Sequence, residues 1–424
     1  MAVPAGPGPF VQARALVSGA FGYPALHRAQ WLALPELREL QWRRLKAALD
    51  HACAHTPLYR ERFRALGATP ADIRSLEDFA RLPVTSREEL RDPKGLLVVD
   101  RAGVRVSMTS GSTGRRTSSY FDERGWVLAK HMLKLRARIA CGVRASDRVA
   151  LLQEGAPDPP RFSRWSRVAA FTVHRPVDEI LPTLIRFAPT VLYGFPGHLA
   201  QLARAATPGA LPVRRIFTSG ELLDPTTRRV IEHGLGAPLF DVYGCSEVKE
   251  IAWQCPERGG YHLNADWIHV EVDPPGTAGR LLITPLYNRA MPLLRYDVGD
   301  TGEVVTGPCP CGRGLPLIRP TLGRSVDYLR LPDGRRLAPY DLTCAVEAID
   351  GMRQYQFVQI ERDLLELRLV PAQNFSPASE QALRTALAPV LDGVEVRVRP
   401  VDTIPAEPSG KYRIVQSLLD RPGA

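Results

Sequence analysis

The sequence predicts an α/β protein: a large N-terminal α/β domain with several subdomains, residues 1–323, and a small C-terminal α+β domain, residues 324–424. Three observations lead to this prediction. A chain of 424 residues is too long for one compact core. Between Val104 and Asp300, short apolar runs alternate with stretches of helical periodicity. After Gly323, strand-like runs and one helix follow each other, as in a small mixed domain.

The N-terminal residues are predicted to form helices that lead up to a first strand. Leucines at helical spacing mark residues 36–54, and Pro35 suits the first turn of that helix. Ser86 stands before an acidic stretch and is expected to cap another helix. Val104–Met108 is a short β-branched and apolar run, so we expect a strand that opens into a loop of glycine, serine and threonine.

The other predicted elements follow from the same periodicities. Helices are expected at residues 126–140, 177–187 and 379–391. Strands are expected at residues 149–152, 191–193, 213–218, 268–272, 280–284, 302–305, 356–361, 364–370 and 394–399. The alternation of helices and strands gives way to consecutive short strands from about Asp266 onward.

Composition narrows the classes of function. Hydrophobic residues make up 45% of the chain and charged residues 24%, which is ordinary for a globular protein. The net charge is +10, but arginine is scattered and no basic run alternates with aromatic residues, so we expect no nucleic-acid partner. No apolar run is long enough to span a bilayer, so we expect no membrane partner. Lysine is rare, and stands only at Lys46, Lys94, Lys130, Lys134, Lys249 and Lys411.

The cysteines indicate a reducing compartment. Seven cysteines, an odd number, are spread over a chain whose first residues lack the pattern of a signal peptide. We therefore expect reduced thiols and a cytoplasmic protein. The sequence is compatible with a monomer or a homodimer.

The loop after the first predicted strand is the first candidate for chemistry. Its glycines allow the backbone to approach an anion closely, and its hydroxyl and amide groups can surround phosphate oxygens. It contains no Gly-Lys-Ser/Thr and is therefore not a Walker A loop. A plain surface turn is the alternative interpretation. The candidate phosphate-binding residues are Ser110, Gly111, Ser112, Thr113 and Gly114.

Four charged residues stand in further motif-like segments. Glu247 follows a glycine turn and can coordinate Mg²⁺ shared with a nucleotide phosphate. Asp300 can accept hydrogen bonds from ribose hydroxyls. Arg324 can bind a phosphate, and Lys411, on a glycine-containing loop, can stabilise a developing negative oxygen. Taken alone, each of the four is more commonly a solvated residue.

The order of these segments resembles the adenylate-forming superfamily of acyl-CoA and aryl-CoA ligases. The Ser/Thr/Gly loop, Tyr-Gly-x-Ser-Glu, Tyr-Asp-x-Gly-Asp, Gly-Arg-Ser and Ser-Gly-Lys follow one another in that family's order. The closer resemblance is to the phenylacetate–CoA ligase group and covers residues 50–415. The segments that carry it are Tyr59–Phe63, Ile73–Asp78 with Leu82-Pro83, Tyr193–Pro196 and Cys309–Arg313.

The resemblance implies a mobile C-terminal domain, the ligands ATP, Mg²⁺ and CoA, and a reaction in two steps. A carboxylate attacks the α-phosphate of ATP and gives acyl-AMP and pyrophosphate; a CoA thiol then displaces AMP. In the first step Lys411 would stabilise charge on the carboxylate and α-phosphate oxygens, which requires the small domain to dock. The acid itself is expected to be aryl or arylalkyl.

The resemblance also implies roles for individual residues. Residues 110–114 would hold the β- and γ-phosphates, Glu247 would bind Mg²⁺, Asp300 the ribose, and Arg324 the nucleotide near the hinge. Further residues would line the adenine and acyl pocket, namely Ser219, Gly220, Glu221, Tyr243 and Gly244.

Two positions depart from the family pattern. Arg116 stands where the phosphate loop commonly has proline, which bears on the shape of the loop. Val326 stands where the hinge is usually polar, with Asp327 next to it. This second departure bears on the rotation of the small domain, and with it on the identity of the second step.

A metal site is a separate prediction. Cys255 and His262 form a Cys-x6-His pair, and Cys309 and Cys311 a Cys-x-Cys pair. Three thiolates and one imidazole suit a closed, structural Zn²⁺ site, although the Cys-x-Cys spacing is tighter than in zinc ribbons. Some members of the phenylacetate–CoA ligase group look similar here and carry zinc. Four unrelated buried or surface residues are the alternative.

Two alternatives to a CoA ligase remain open. The acyl group can pass to an amine or to a carrier-protein thiol after the same first half-reaction. A non-catalytic relative that only binds nucleotide or acid is the other alternative. The joint presence of Glu247, Asp300, Arg324 and Lys411 argues against it.

Overall fold

The computed structural model describes residues 22–98, 103–108, 117–221, 223–276, 278–320, 329–337, 339–346, 349, 351–405 and 414–419. Within these ranges the chain forms two compact units. Unit 1 comprises residues 1–142 and 242–321, and unit 2 residues 143–241 and 322–424. The separation into residues 1–323 and 324–424 stays a prediction, since the compact units follow a different division of the chain.

Helices occupy most of the predicted segments. The α-helices are α1 Leu34–His55, α2 Pro57–Ala65, α3 Leu76–Phe79, α4 Arg87–Arg91, α5 Glu123–Trp126, α6 Leu133–Ala140, α7 Val177–Phe187, α8 Pro196–Ala205, α9 Pro225–Leu235, α10 Pro339–Val346 and α11 Pro377–Leu387. Short 3₁₀ turns cover Pro70–Asp72 and Pro93–Gly95. A π-helical segment, Val127–Met132, joins α5 to α6.

Strands follow the predicted apolar runs. They are β1 Arg105–Met108, β2 Ser118–Phe121, β3 Val149–Gln153, β4 Val168–Thr172, β5 Val191–Gly194, β6 Arg215–Ser219, β7 Leu239–Cys245, β8 Lys249–Gln254, β9 Tyr261–Leu263, β10 Ile268–Asp273, β11 Gly279–Pro285, β12 Tyr296–Val305, β13 Leu317–Pro320, β14 Leu329–Arg330, β15 Arg336–Leu337, β16 Met352–Glu361, β17 Leu364–Pro371, β18 Glu395–Pro400 and β19 Val415–Ser417.

Unit 1 is mainly antiparallel. β1 and β2 form a hairpin on either side of the predicted phosphate loop. The strands β7-β8-β9-β13-β12-β11-β10 follow one another in a sheet whose neighbours are all antiparallel. Ser86 caps α4 as predicted, because its side chain accepts a hydrogen bond from the Glu89 amide. The cap places Arg87 at the first position of that helix.

The first part of unit 2 is an α/β layer. The strands β6-β5-β3-β4 are parallel neighbours, which accounts for their nearly continuous apolar sequences. Helix α7 has the predicted bounds; acidic residues stand in its first turn, and Ala188 ends it in the left-handed conformation. Leu184 and Phe187 of this helix are fully buried in the core of the layer.

The second part of unit 2 is the predicted small α+β fold. Its sheet has the order β18-β17-β16-β19, with an antiparallel centre and parallel outer pairs. Leucines of the sheet and of α11, among them Leu367 and Leu383, are fully buried in one core. Of the helices that the structure describes, none combines the length and apolar character that crossing a bilayer requires.

Candidate active site and metal centre

Glu247, the predicted magnesium ligand, lies in the turn between β7 and β8 of unit 1. The side chain is only 4% exposed. Tyr296, the first residue of β12, donates its hydroxyl to Glu247 Oε1 at 3.1 Å, and Arg87 Nη2 lies 3.6 Å from the same oxygen. Burial and the nearby negative charge of Glu247 raise the pKa of Tyr296, so the phenol stays protonated. One oxygen of the carboxylate is therefore fixed by a neutral donor and a cation.

Asp300, the predicted ribose ligand, lies four residues further along β12 and is partly buried. Tyr243 donates its hydroxyl to Asp300 Oδ2 at 2.9 Å. Unit 1 therefore brings three predicted site residues to the neighbourhood of one strand: Tyr243 and Asp300 by direct contact, and Glu247 through Tyr296.

Gly244 follows Tyr243 where the β7–β8 pairing shifts register. A Cβ atom at this position would lie 2.2 Å from the carbonyl oxygen of Lys249, so no other residue fits without moving the backbone. The requirement for glycine at this motif position thus has a local steric cause.

Ser219, Gly220 and Glu221 lie in unit 2. Ser219 ends β6, and Gly220 follows with a φ of 85°, which suits glycine. Glu221 Oε2 accepts a hydrogen bond from the amide of Gly197, in the first turn of α8, at 2.9 Å. This carboxylate therefore fixes the loop that follows β6 against the start of a neighbouring helix.

Seven predicted site residues lie outside the described residues. They are Ser110, Gly111, Ser112, Thr113, Gly114, Arg324 and Lys411. Their roles in phosphate binding and catalysis stay predictions that rest on the sequence.

The four predicted zinc ligands of unit 1 are brought together by the fold. One ligand atom from each of Cys255, His262, Cys309 and Cys311 lies within 4.8 Å of all the others. Cys311 Sγ is 3.3 Å from His262 Nε2, and Cys255 Sγ is 3.6 Å from Cys309 Sγ. Ligands in a tetrahedron around zinc stand about 3.8 Å apart when each is about 2.3 Å from the ion. The donor set and its spacing therefore fit Zn²⁺.

The surroundings of His262 prepare it to be a metal ligand. The ring is fully buried, and burial lowers the pKa of His262 to about 4, so the imidazole is neutral. Nδ1 lies 3.3 Å from the carbonyl oxygen of Leu315. If Nδ1 carries the proton and donates it to that oxygen, the lone pair of Nε2 is available to a metal on the side of Cys311.

Sequence reasoning missed several residues of the site. Arg87 and Tyr296 contact Glu247 from distant parts of the chain. Tyr296 begins the Tyr-Asp-x-Gly-Asp motif, but the motif did not indicate a contact with Glu247, and no local pattern marks Arg87. Lys249, partly buried, donates to Ser107 Oγ at the end of β1, and burial lowers the pKa of Lys249 to about 8. The rarity of lysine in this chain was the one available signal for Lys249 and Lys130.

Unit 2 contains a cavity of about 190 Å³ that holds none of the predicted site residues. Helices α8 and α9 line one side, and residues of α10, β16 and the segments next to them line the other. Gly197, which binds Glu221, is on its wall.

Comparison with known protein families matches residues 329–417 to the CapK C-terminal domain. The phenylacetate-coenzyme A ligase of Pseudomonas putida is 30% identical over 317 residues, which are 69% of this chain and 72% of that protein. The phenylacetate-coenzyme A ligase of Thermus thermophilus is 29% identical over 359 residues, 77% of this chain and 79% of that protein.

Solved structures show the same fold at lower sequence identity. A 2-hydroxyisobutyryl-CoA ligase in the postadenylation state with 2-HIB-AMP superposes with a TM-score of 0.77 at 24% identity, over 93% of this chain and 92% of that one. An anthranilate CoA ligase in complex with anthranoyl-AMP superposes with a TM-score of 0.54 at 16% identity, over 74% and 67% of the two chains.

Proposed function

The chain belongs to the phenylacetate–CoA ligase family of adenylate-forming enzymes, and from this premise we propose that it activates an aryl or arylalkyl carboxylic acid with ATP and transfers the acyl group to CoA. As a member of that family it is an acid–thiol ligase. One oxygen of the acid attacks the α-phosphorus of ATP, and pyrophosphate leaves. The thiol sulfur of CoA then attacks the acyl carbon, and AMP leaves with the bridging oxygen.

The observation that carries this proposal is the shared anchoring of Glu247 and Asp300 on β12. Tyr296 at the start of the strand donates to Glu247, and Asp300 of the same strand accepts from Tyr243. A metal-binding carboxylate and a ribose-binding carboxylate must keep a fixed separation to position one nucleotide. Tyr296, which holds Glu247, and Asp300 belong to one strand, so this strand fixes the separation of the two carboxylates.

The residues around Glu247 fit Mg²⁺. Magnesium is commonly held by one or two protein carboxylates together with substrate phosphates. Glu247 would hold the ion, and the ion would supply charge neutralisation to the phosphates when bound. Arg87 and Tyr296 orient the carboxylate through Oε1. Lys411 and the 110–114 loop are proposed to bind the substrate carboxylate and the phosphates, as the family resemblance implies.

Acid-dependent exchange of pyrophosphate into ATP tests the first half-reaction. The panel contains aryl, arylalkyl and alkyl acids, and the variants are Glu247→Gln and Lys411→Ala. We expect exchange with aryl or arylalkyl acids and a loss of about 100-fold or more in each variant. Glu257→Gln, at an exposed position of the same unit, is the matched control and should keep full activity.

The outcomes separate the parts of the proposal. Exchange with alkyl acids alone would contradict the aryl preference. Full exchange activity in Glu247→Gln would show that Glu247 is not part of the nucleotide site. Product analysis with CoA, an amine or a carrier protein then identifies the acceptor, and release of acyl-AMP without acyl-CoA would overturn the second step. The cytoplasmic location and the choice between monomer and homodimer stay predictions.

We also propose that Cys255, His262, Cys309 and Cys311 hold a structural Zn²⁺. The four ligand atoms form a closed set, which leaves no coordination position for a substrate. Metal analysis of the purified protein should give about one zinc per chain, and Cys309→Ser should lose most of it and unfold at a lower temperature. Cys53→Ser is the control, since Cys53 lies outside the cluster. Unchanged zinc content in Cys309→Ser would refute the site.

A further inference from the structure

Two lysines of unit 1 share one indole ring. Nζ of Lys249 lies 5.2 Å from the centroid of Trp126 and 5.4 Å from that of Phe121. Nζ of Lys130 lies 4.6 Å from the centroid of the same Trp126 ring. Lys249 is partly buried and donates to Ser107, whereas Lys130 is exposed. One ammonium group at the Trp126 ring is therefore exposed to solvent, and the other is partly buried.

Neither ammonium group has an ion-pair partner among the residues that the structure describes. Two carboxylates of the same region form ion pairs with other cations: Glu123 with Arg105 at 2.9 Å, and Glu250, through Oε1, with Lys134 at 3.2 Å. Glu247 and Glu250 act on Lys249 only through longer-range attraction, so neither ammonium group has a carboxylate within ion-pair distance among the described residues.

The backbone at both lysines departs from regular structure. Lys130 belongs to the π-helical segment Val127–Met132, a rare conformation that is frequent at functional sites. Lys249 has a φ of 70°, which is uncommon for a residue other than glycine. Such conformations persist where the surrounding structure holds them, and they cluster at ligand sites.

In the sequence, Lys249 and its partner Ser107 stand close to the segments that the proposed function assigns to the nucleotide. Ser107 stands two residues before the loop that begins at Thr109, and Lys249 two residues after Glu247. We propose that Lys130 and Lys249 form an anion-binding subsite for an anionic oxygen group of a substrate, with Trp126 as its aromatic wall. This inference rests on the proposed function for the source of the anion, which is either the terminal phosphates of ATP or a second carboxylate on the acid.

The chemistry of the subsite suits an oxyanion. Each lysine can donate charge-assisted hydrogen bonds, and a bound anion offsets the repulsion between the two ammonium groups. Removing one charged hydrogen bond of this kind weakens binding by about tenfold or more. Lys249→Met and Lys130→Met keep most of the aliphatic side chain, so they remove the charge with little loss of packing.

Isothermal titration of the full chain with separate probes tests the subsite. The probes are inorganic pyrophosphate with Mg²⁺, and the matched acids benzoate and terephthalate. The proteins are the wild type, Lys249→Met, Lys130→Met and Lys249→Arg, with Lys94→Met as an exposed control that removes one charge elsewhere. We expect about tenfold weaker binding in both Met variants for one anion class, recovery in Lys249→Arg and no change in Lys94→Met.

The two sources of the anion give different results. Weaker pyrophosphate binding with unchanged acids assigns the subsite to ATP. A lost preference for terephthalate over benzoate, with unchanged pyrophosphate binding, assigns it to the acid. Equal affinities in all proteins, or equal losses for every probe including benzoate, overturn the proposal. Because binding is measured directly, the outcome for the subsite does not depend on whether the protein catalyses pyrophosphate exchange.

Discussion

Arg136 and Lys249 are two basic residues in the interior of unit 1 with opposite surroundings. Arg136 is fully buried, and its guanidinium makes 3.0 Å contacts with both carboxylate oxygens of Asp266, itself fully buried. Asn264 accepts a further hydrogen bond from the same guanidinium. Lys249 is less buried, and meets a serine hydroxyl and two aromatic rings instead of a carboxylate.

The difference separates a structural charge from one that is available to a ligand. Both terminal nitrogens of Arg136 are occupied by Asp266 and Asn264, and only the buried Nε has no partner among the described residues. Breaking such a buried ion pair leaves an uncompensated charge. An ammonium group without a carboxylate keeps its capacity to bind an anion. The two residues lie in the same unit, so they can be compared by substitution in one protein.

His198 of unit 2 represents a third arrangement, in which a basic group is buried in its neutral form. The ring is 1% exposed, and neither nitrogen has a hydrogen-bond partner among the described residues. Burial lowers the pKa of His198 to about 4. The imidazole is therefore uncharged at neutral pH and needs no counter-ion.

The largest expected effect is the loss of stability in Arg136→Met. Removal of the guanidinium leaves the buried Asp266 with only the longer 3.9 Å ion pair to Arg44, so we expect the free energy of unfolding to fall by about 3–5 kcal/mol. Urea denaturation at pH 7 measures the change. The double variant Arg136→Met with Asp266→Leu should recover much of it, and Arg43→Met, at an exposed helix position, is the control. A loss below about 1 kcal/mol would remove the contrast with Lys249.

The second-largest expected effect is a pH dependence of the folding stability that is caused by His198. Its folded pKa of about 4 lies below the ordinary value of 6.5, so the unfolded chain takes up the proton first as the pH falls. The associated stability is complete above pH 6.5 and is lost toward pH 4. Between pH 7 and pH 4.5 the wild type should lose about 2.5 kcal/mol more stability than His198→Leu.

Urea denaturation at the two pH values measures this difference. His233→Leu, an exposed histidine on α9, should follow the wild type. Parallel losses in the wild type and in His198→Leu would show that the imidazole is not kept neutral by the fold, and that unit 2 manages this buried group in another way.

The smallest expected effect on stability is that of Lys249→Met. The variant loses the hydrogen bond to Ser107 but leaves no carboxylate without its ion pair, so the free energy of unfolding should change by less than about 1 kcal/mol at pH 7. The same denaturation series measures it. A loss as large as that of Arg136→Met would make Lys249 a structural residue, and would weaken the case for an anion subsite.

Local patterns predicted most elements where periodicity was strong. Helix α7 has both predicted bounds, and β3 extends only one residue beyond the prediction. The strand β12 was predicted only from Gly302, yet it starts at Tyr296. The helix predicted at 126–140 is interrupted by the π-helical segment Val127–Met132, whose altered hydrogen bonding has no period in the sequence.

By itself, the sequence determined the family motifs, the alternation of an α/β fold and the identity of the four candidate metal ligands. The residue types and the spacing within each pair indicated the four ligands, and four unrelated residues stayed the alternative. The fold brings their ligand atoms within 4.8 Å of one another. Only the tertiary structure decided that Tyr243 meets Asp300, that Arg87 meets Glu247, and that two lysines share the ring of Trp126. Such contacts join residues far apart in the chain, and they depend on strand pairing and helix placement that no local pattern encodes.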